Sequence, residues 1–483
     1  MNKLTSFFAP AGALVLTALG LGLLTTGCGG SPDRPNVLLI SVDTLRADRL
    51  GTYGYDRGTS PAIDALGAEA AVFDRAISQS PWTTPSHMSL FTSLHPSSHG
   101  VNQGWFEFLA FSRGEAEYRV LPEDVPTLPQ LLSDAGYRTR ALTGGGTVGA
   151  QLGFGRGFEE YRQDARKLRP EHWSQLVDWL EEDDERPFFL FFHTFEVHAP
   201  YTHVDDARGV IGDEAADRLE HFYAENPELS ENEARKDLER AGLFRVEVTS
   251  RLYDGGIRFT DRFLGDFFDQ LRQRDLWDDT IVIFLSDHGE EFADHRPNKI
   301  YNVHCDALWD VFIHVPLILR VPGRYDDGRR IDGQVSLVDV APTLLELLDL
   351  PIPPTMRGDS LVSRLDGAPA EARRPVFSES PCLGPEWKAL RTESYKYIVG
   401  FEAPRGERTG IPGPPLHEML YDLETDPREQ VDLSTSDIEL RDRMRRRLVR
   451  FFTEEATPVG EDAASIEMDE ELEEQLRSLG YID

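Results

Sequence analysis

Three apolar runs in this 483-residue sequence each end in side chains able to bind a metal ion or move a proton. Val37-Leu38-Leu39-Ile40 precedes Asp43. Phe189 to Phe192 precedes His193, Glu196 and His198, and Ile281 to Leu285 precedes Asp287, His288, Glu290 and Glu291. One such residue after a strand is ordinarily a helix cap or a solvated loop side chain. Three clusters brought to one rim make a mixed oxygen and nitrogen donor set for a divalent metal ion. Zinc or manganese suits it best, with calcium as an alternative. A further piece is Trp82-Thr83-Thr84-Pro85-Ser86-His87, where a helix should begin. Thr83 or Thr84 would cap it, Pro85 would sit in its first turn, and Met88, Phe91 and Leu94 would form its buried face. This is either a plain capped terminus or a place where free backbone N–H groups and a threonine hydroxyl meet a phosphate or sulfate.

The elements that must position these residues can be read from periodicity. Asn36 to Ser41, Thr139 to Leu142, Pro187 to His193, Thr280 to Leu285 and Pro316 to Val321 are short apolar runs, as expected of strands buried on both faces. Longer helical patterns separate them, notably Leu252 to Leu271 and Ser336 to Leu348. The fold class expected is α/β, a doubly wound and mostly parallel sheet. Ligands in such sheets bind beyond the carboxyl ends of the strands, where the polar clusters lie.

Composition narrows the chemistry further. Lys plus Arg is 50 and Asp plus Glu is 84, a net charge of −34 that repels nucleic acid phosphates, so no nucleic acid partner is expected. Three cysteines, Cys28, Cys305 and Cys382, make neither a disulfide framework nor a zinc cluster, and Cys305 and Cys382 read as core thiols. The first 27 residues carry one charge, Lys3, and an apolar stretch from Phe7 to Leu24 that reads as an export signal. The stretch ending at Gly27-Cys28 resembles a bacterial lipoprotein signal, implying lipidation at Cys28, a tether over 28–35 and a lipid-anchored place in the cell envelope. An uncleaved membrane anchor is the alternative.

Several strings together resemble the sulfatase family of the alkaline phosphatase superfamily. They are Asn36 to Asp48, Ser286-Asp287-His288-Gly289-Glu290-Glu291, His304 with Leu308-Trp309-Asp310, Val335 to Leu345, and Leu420-Tyr421-Asp422-Leu423-Glu424. The resemblance implies a catalytic domain over 36–365 and a smaller C-terminal α+β domain with an antiparallel sheet over 366–483, ending in an acidic helical tail. It also implies metal ligation by Asp43, Thr83, Asp287 and His288 around one divalent ion. His198 and His304 are implied as catalytic and substrate-binding residues, and His87, in place of the family's motif arginine, as a substrate-side residue that orients the nucleophile loop. His193 reads as structural. A charged helical insertion over 203–249 is either a pocket wall, a lid or a solvated excursion.

Two departures from the family pattern bear on the reaction. The family's C-x-P-x-R or S-x-P-x-R, whose first residue becomes formylglycine, is replaced by Thr83-Thr84-Pro85-Ser86-His87, and Asp43 is followed by Thr44 rather than a second Asp. Threonine cannot become that aldehyde. The remaining set is similar to that of threonine-nucleophile relatives such as phosphoethanolamine transferases, nucleotide phosphodiesterases and, in layout, phosphonate monoester hydrolases. A sulfated threonine lacks the aldehyde's exit, whereas in-line attack of water on phosphothreonine is favourable. The expectation is therefore a metal-dependent ester hydrolase acting on a phosphodiester or phosphonate monoester through Thr83. A sulfuric ester hydrolase and a non-catalytic lipid-anchored binding protein are the alternatives. The substrate class is a small-molecule, glycan or lipid anionic ester, and the oligomeric state is not readable.

Overall fold

The computed structural model describes residues 34–102, 110, 117–182, 184–226, 230–301, 303–369, 374–380, 385–401, 415–460 and 465–466. Cys28, the export signal, most of the tether, Cys382 and the tail beyond residue 466 lie outside the described residues. Among the described residues, no helix is long and apolar enough to cross a membrane.

The main sheet contains β1 (Asn36–Val42), β2 (Ala71–Ile77), β3 (Arg138–Leu142), β4 (Glu160–Arg162), β5 (Phe188–Thr194), β6 (Thr280–Leu285), β7 (Leu317–Arg320) and β8 (Arg330–Ser336). Their order is β8-β2-β7-β6-β1-β5-β3-β4. β1 lies between β5 and β6 and is parallel to both, while β7 runs antiparallel to β2 and β6. Alternation along each central strand explains why the runs are apolar throughout. Val37 and Leu39 of β1, Phe189 and Phe191 of β5, and Ile281 and Ile283 of β6 pack on one face. Leu38 and Ile40, Leu190 and Phe192, and Val282 and Phe284 pack on the other. Helix α1 (Thr83–Thr92) covers the first face, and the long α4 (Val246–Gln273) covers the second through Leu252, Ile257, Leu264 and Leu271. Between β5 and α4 the charged segment folds into α2 (Asp213–Glu225) and α3 (Glu231–Arg240).

A second, antiparallel sheet contains β9 (Val376–Ser380), β10 (Glu386–Arg391), β11 (Tyr395–Phe401) and β12 (Pro415–Asp422) in sequential order. One of its faces packs on α5 (Ile438–Arg450) through Leu390, Tyr397, Leu440 and Leu448. The other meets Leu308, Phe312 and Ile313, which follow His304 in the chain. Asp310 locks that junction. It pairs with Arg391 at 2.9 Å and Lys396 at 2.7 Å, and its N–H donates to Glu429 at 2.6 Å. Cys305 is disulfide-bonded rather than a core thiol, which corrects the sequence reading, and its carbonyl accepts from Ser380 Oγ at 2.6 Å. The segment carrying His304 is thus anchored at both ends to the second sheet.

Removing the Asp310 carboxylate would leave two cations without their shared partner in a dry junction. Asp310→Ala should lower the unfolding free energy by about 3 kcal/mol in urea titration, well above the loss from an exposed aspartate.

Candidate functional site

Each polar cluster follows the strand that delivers it. Asp43, directly after β1, is fully buried and its N–H donates to the Thr194 carbonyl at 3.1 Å. Asp287 and His288 follow β6, in a turn held by Ser286 Oγ, which donates to the His288 carbonyl (2.8 Å) and accepts from Leu45 N (2.9 Å). Because β1 and β6 are parallel neighbours, their ends present these side chains together. Ligand atoms of Asp43, Asp287 and His288 all lie within 4.8 Å of one another.

Thr83 opens α1 and completes this group. Its Oγ donates to Asp43 Oδ2 at 3.1 Å and stands 3.3 Å from His288 Nε2. The expected threonine cap is corrected here, since Trp82 is the cap residue, without a side-chain bond, and Thr84 Oγ donates to the Thr147 carbonyl instead. The hydroxyls are committed elsewhere, leaving the helix start uncapped by a side chain and directed at the crevice.

The site also passes a test for a resident cation. Asp43 Oδ1 and Asp287 Oδ2 are buried without any hydrogen-bond partner. Burial, reinforced by the neighbouring Asp287 carboxylate, raises the Asp43 carboxyl well above the usual range. Two such carboxylates remain ionised together only beside a positive charge. His288 Nδ1 donates to the Gly289 carbonyl at 3.0 Å, so its Nε2 lone pair faces the group, the arrangement expected of a metal-ligating imidazole. Asp43, Thr83, Asp287 and His288 therefore fit a divalent ion.

Two histidines lie below this group. His87 is fully buried, its Nδ1 donating to the Thr83 carbonyl (3.0 Å) and its Nε2 accepting from Ser41 Oγ (2.9 Å). Both nitrogens are used within the protein, which leaves neither for the substrate-side role expected of His87; the ring braces the turn that carries Thr83. Burial lowers its pKa, keeping it neutral. His193 was read as merely structural, and its Nε2 lies 3.7 Å from Asp43 Oδ2 while Nδ1 accepts from Gly144 N at 3.2 Å. That leaves Nε2 as the protonated nitrogen, near Asp43 but beyond hydrogen-bond distance, so His193 stays a buried neighbour of the site.

His198 and His304 stand on the open side. The ring of His304 lies 5.0 Å from that of His198 and 4.9 Å from that of His288. Burial, followed by the proximity of His304, lowers His198 well below its ordinary pKa, and its Nδ1 donates to the Ala199 carbonyl at 2.7 Å. Nε2 of His198 is therefore a free base. Burial also opposes charge on His304, but Glu290, whose Oε1 is 3.5 Å from Nδ1, outweighs it and raises the pKa. The two neighbouring rings are thus pushed in opposite directions, His198 toward the neutral form and His304 toward the charged one. Arg46, by contrast, is spent on Asp48 and Asp294, each at 2.7 Å.

The sulfatase family pattern matches residues 35–350, and the C-terminal pattern of N-sulphoglucosamine sulphohydrolase matches residues 306–454. The chain belongs to the sulfatase family. It is 31% identical to arylsulfatase K of Gallus gallus over 83% of this chain and 79% of that protein. It is 25% identical to an ulvan-active sulfatase of Formosa agariphila over 83% and 77% respectively. Among solved structures, a protein in complex with its substrate D-glucosamine-2-N,6-O-disulfate superposes with a TM-score of 0.65 at 16% identity, over 87% of this chain and 99% of that one. The phosphonate monoester hydrolase of Agrobacterium radiobacter gives 0.61 at 20% identity, over 90% and 100%. Both share the sulfatase-family fold seen here.

If Glu290 holds the proton on His304, Glu290→Gln should move the His304 titration to lower pH, followed by ring-proton NMR of the metal-loaded protein. An unmoved titration would remove Glu290 as the cause.

Proposed function

We infer that this sulfatase-family hydrolase cleaves sulfate esters, with a glycan or a similar polar alcohol as the leaving group. The observation that carries this reading is the Thr83 hydroxyl held between Asp43 and His288 at an uncapped helix start, opposite His198 and His304. Sequence relatives that are sulfatases support sulfate over the phosphodiester expected from sequence, which is replaced here by its sulfate-ester alternative.

A divalent ion on Asp43, Asp287 and His288 would withdraw charge from the Thr83 oxygen and from the ester's oxygens. Thr83 Oγ, its proton directed at Asp43, attacks sulfur as the bond to the alcohol oxygen breaks. Protonated His304 gives its proton to that oxygen; neutral His198 Nε2 then accepts a proton from the water that cleaves the sulfothreonine, Asp43 returns the threonine proton to the departing Thr83 oxygen as hydrogen sulfate leaves, and the proton on His198 passes to His304 through solvent. The absence of an aldehyde exit makes this second step the slow one. The same chemical point favours a second reading, a phosphonate or phosphate ester, for which water attack on the threonine adduct is easier. Export and lipidation at Cys28 would bring the enzyme to extracellular substrates.

Assay of metal-loaded protein on nitrophenyl sulfate, phosphate and phenylphosphonate separates the readings. Sulfate should give the highest kcat/KM, and a preference for either phosphorus ester would reverse the assignment. Thr83→Ala should lower kcat/KM on the preferred ester by about a thousandfold or more, and full retained turnover would exclude Thr83 as the nucleophile.

A further inference from the structure

The turn that carries His198 closes around one ammonium. Lys167 Nζ donates to the carbonyls of Phe195, Glu196 and His198 at 3.4, 3.1 and 3.2 Å. Three carbonyls of one turn can converge on a point only where a group with three donors meets them, and an ammonium supplies three from a single atom. The Phe195 carbonyl also accepts from His198 N at 3.0 Å, so the turn and the ammonium brace each other. Glu196 completes the arrangement. Its buried carboxylate accepts from Leu168 N and His203 Nε2, both at 2.6 Å, and stands 3.8 Å from Lys167 Nζ. Burial opposes charge on that carboxylate, but Lys167 and His203 outweigh it and hold its pKa below the usual range. Thr194 Oγ, at the end of β5, donates to the Ala165 carbonyl at 3.2 Å, a further tie between the same two segments.

These ties bear on the site through the imidazole. His198 Nδ1 donates to the Ala199 carbonyl at 2.7 Å, and the ring packs edge-on against Phe195 at 5.6 Å. Both partners move with the turn, so placing the turn places Nε2. Glu231 Oε1, from the charged segment between β5 and α4, approaches Nδ1 to 3.5 Å and leaves Nε2 to the crevice. In the reaction outlined above, Nε2 takes the proton of the water that cleaves the threonine adduct, and a misplacement of about 1 Å can cost about a hundredfold in rate. The first step is assigned instead to Thr83, Asp43 and His304, whereas the contacts of Lys167 lie on the turn. We propose that Lys167 is a positioning residue for the second step, its ammonium gathering the turn so that His198 faces the attacking water. This rests on the two-step sulfate-ester reading above and adds the residue that holds its base.

Kinetics of the metal-loaded enzyme on the nitrophenyl ester it prefers test the assignment. Where cleavage of the adduct limits turnover, slowing it lowers kcat and KM together and leaves kcat/KM, which reports the first step, unchanged. Lys167→Met should lower both constants in parallel by about tenfold or more. Lys167→Arg should be intermediate, since a planar fork meets three converging carbonyls less well than an ammonium. Mass spectrometry of enzyme quenched during turnover should find the Thr83 peptide modified to a larger extent in either variant than in the parent protein. A folded variant that keeps the full kcat, or that loses kcat/KM with KM unchanged or raised, would overturn the proposal and reduce Lys167 to a structural residue. A crystal structure of Lys167→Met, or of Lys167→Arg should the first not fold, reads the geometry without turnover. The His198 ring should leave its place beside His304, and an unmoved ring would overturn the proposal. Turnover of phosphorus esters alone, with the parallel loss intact on them, would instead discard the sulfate-ester reading and leave the role of Lys167 supported.

Discussion

Two buried carboxylates at the ends of adjacent parallel strands set the terms for everything else in this molecule. Asp43 and Asp287 are each desolvated, each has an oxygen without a partner, and they lie close enough that burial and mutual repulsion push Asp43 toward protonation. A fold would not keep such a pair unless a cation compensated it. The surroundings are consistent with that demand. His288 is fixed in the tautomer that offers a lone pair, Thr83 is presented by a helix start, and His87 braces the Thr83 turn from the core side.

From that constraint the division of labour follows. The sheet core holds the ligands rigidly, while the residues that would handle protons sit on loops tied to other parts of the fold. His304 is anchored through Cys305, Asp310 and the second sheet, and His198 through Lys167. Family membership and the proposed attack by Thr83 pull the chemistry in different directions, because sulfuryl transfer to threonine would lack the aldehyde escape of formylglycine enzymes. His198 and His304, whose pKa values are pushed in opposite directions, are the groups to which the proposed mechanism assigns the base for water and the acid for the alcohol.

Much of this was legible in the sequence, and what was not has identifiable causes. β1, β3, β5, β6 and β7 are apolar runs because both their faces are buried, and they were found within a residue or two of their ends. β2 and β8 do not read as apolar runs because Asp74 and Arg75, half-buried in β2, and Arg330 and Asp332, exposed on the edge strand β8, interrupt them. Asp43, Asp287 and His288 were readable because strand order converts two distant motifs into one rim. The approach of Glu231 to His198 and that of Glu290 to His304 depend on loop paths without periodicity, while the nearness of His193 to Asp43 follows from the register of the neighbouring strands β1 and β5. Only the substrate-side part of the expectation for His87 does not fit its buried ring, because motif position says nothing about which side of a helix start is open; its contact with the Thr83 carbonyl is in keeping with the orienting part.

Anomalous scattering from crystals grown with manganese tests the central claim most directly. One ion should appear within coordinating distance of Asp43, Asp287 and His288, with the Thr83 oxygen facing it. A peak elsewhere, or none at saturating manganese while the side chains keep these positions, would contradict the account.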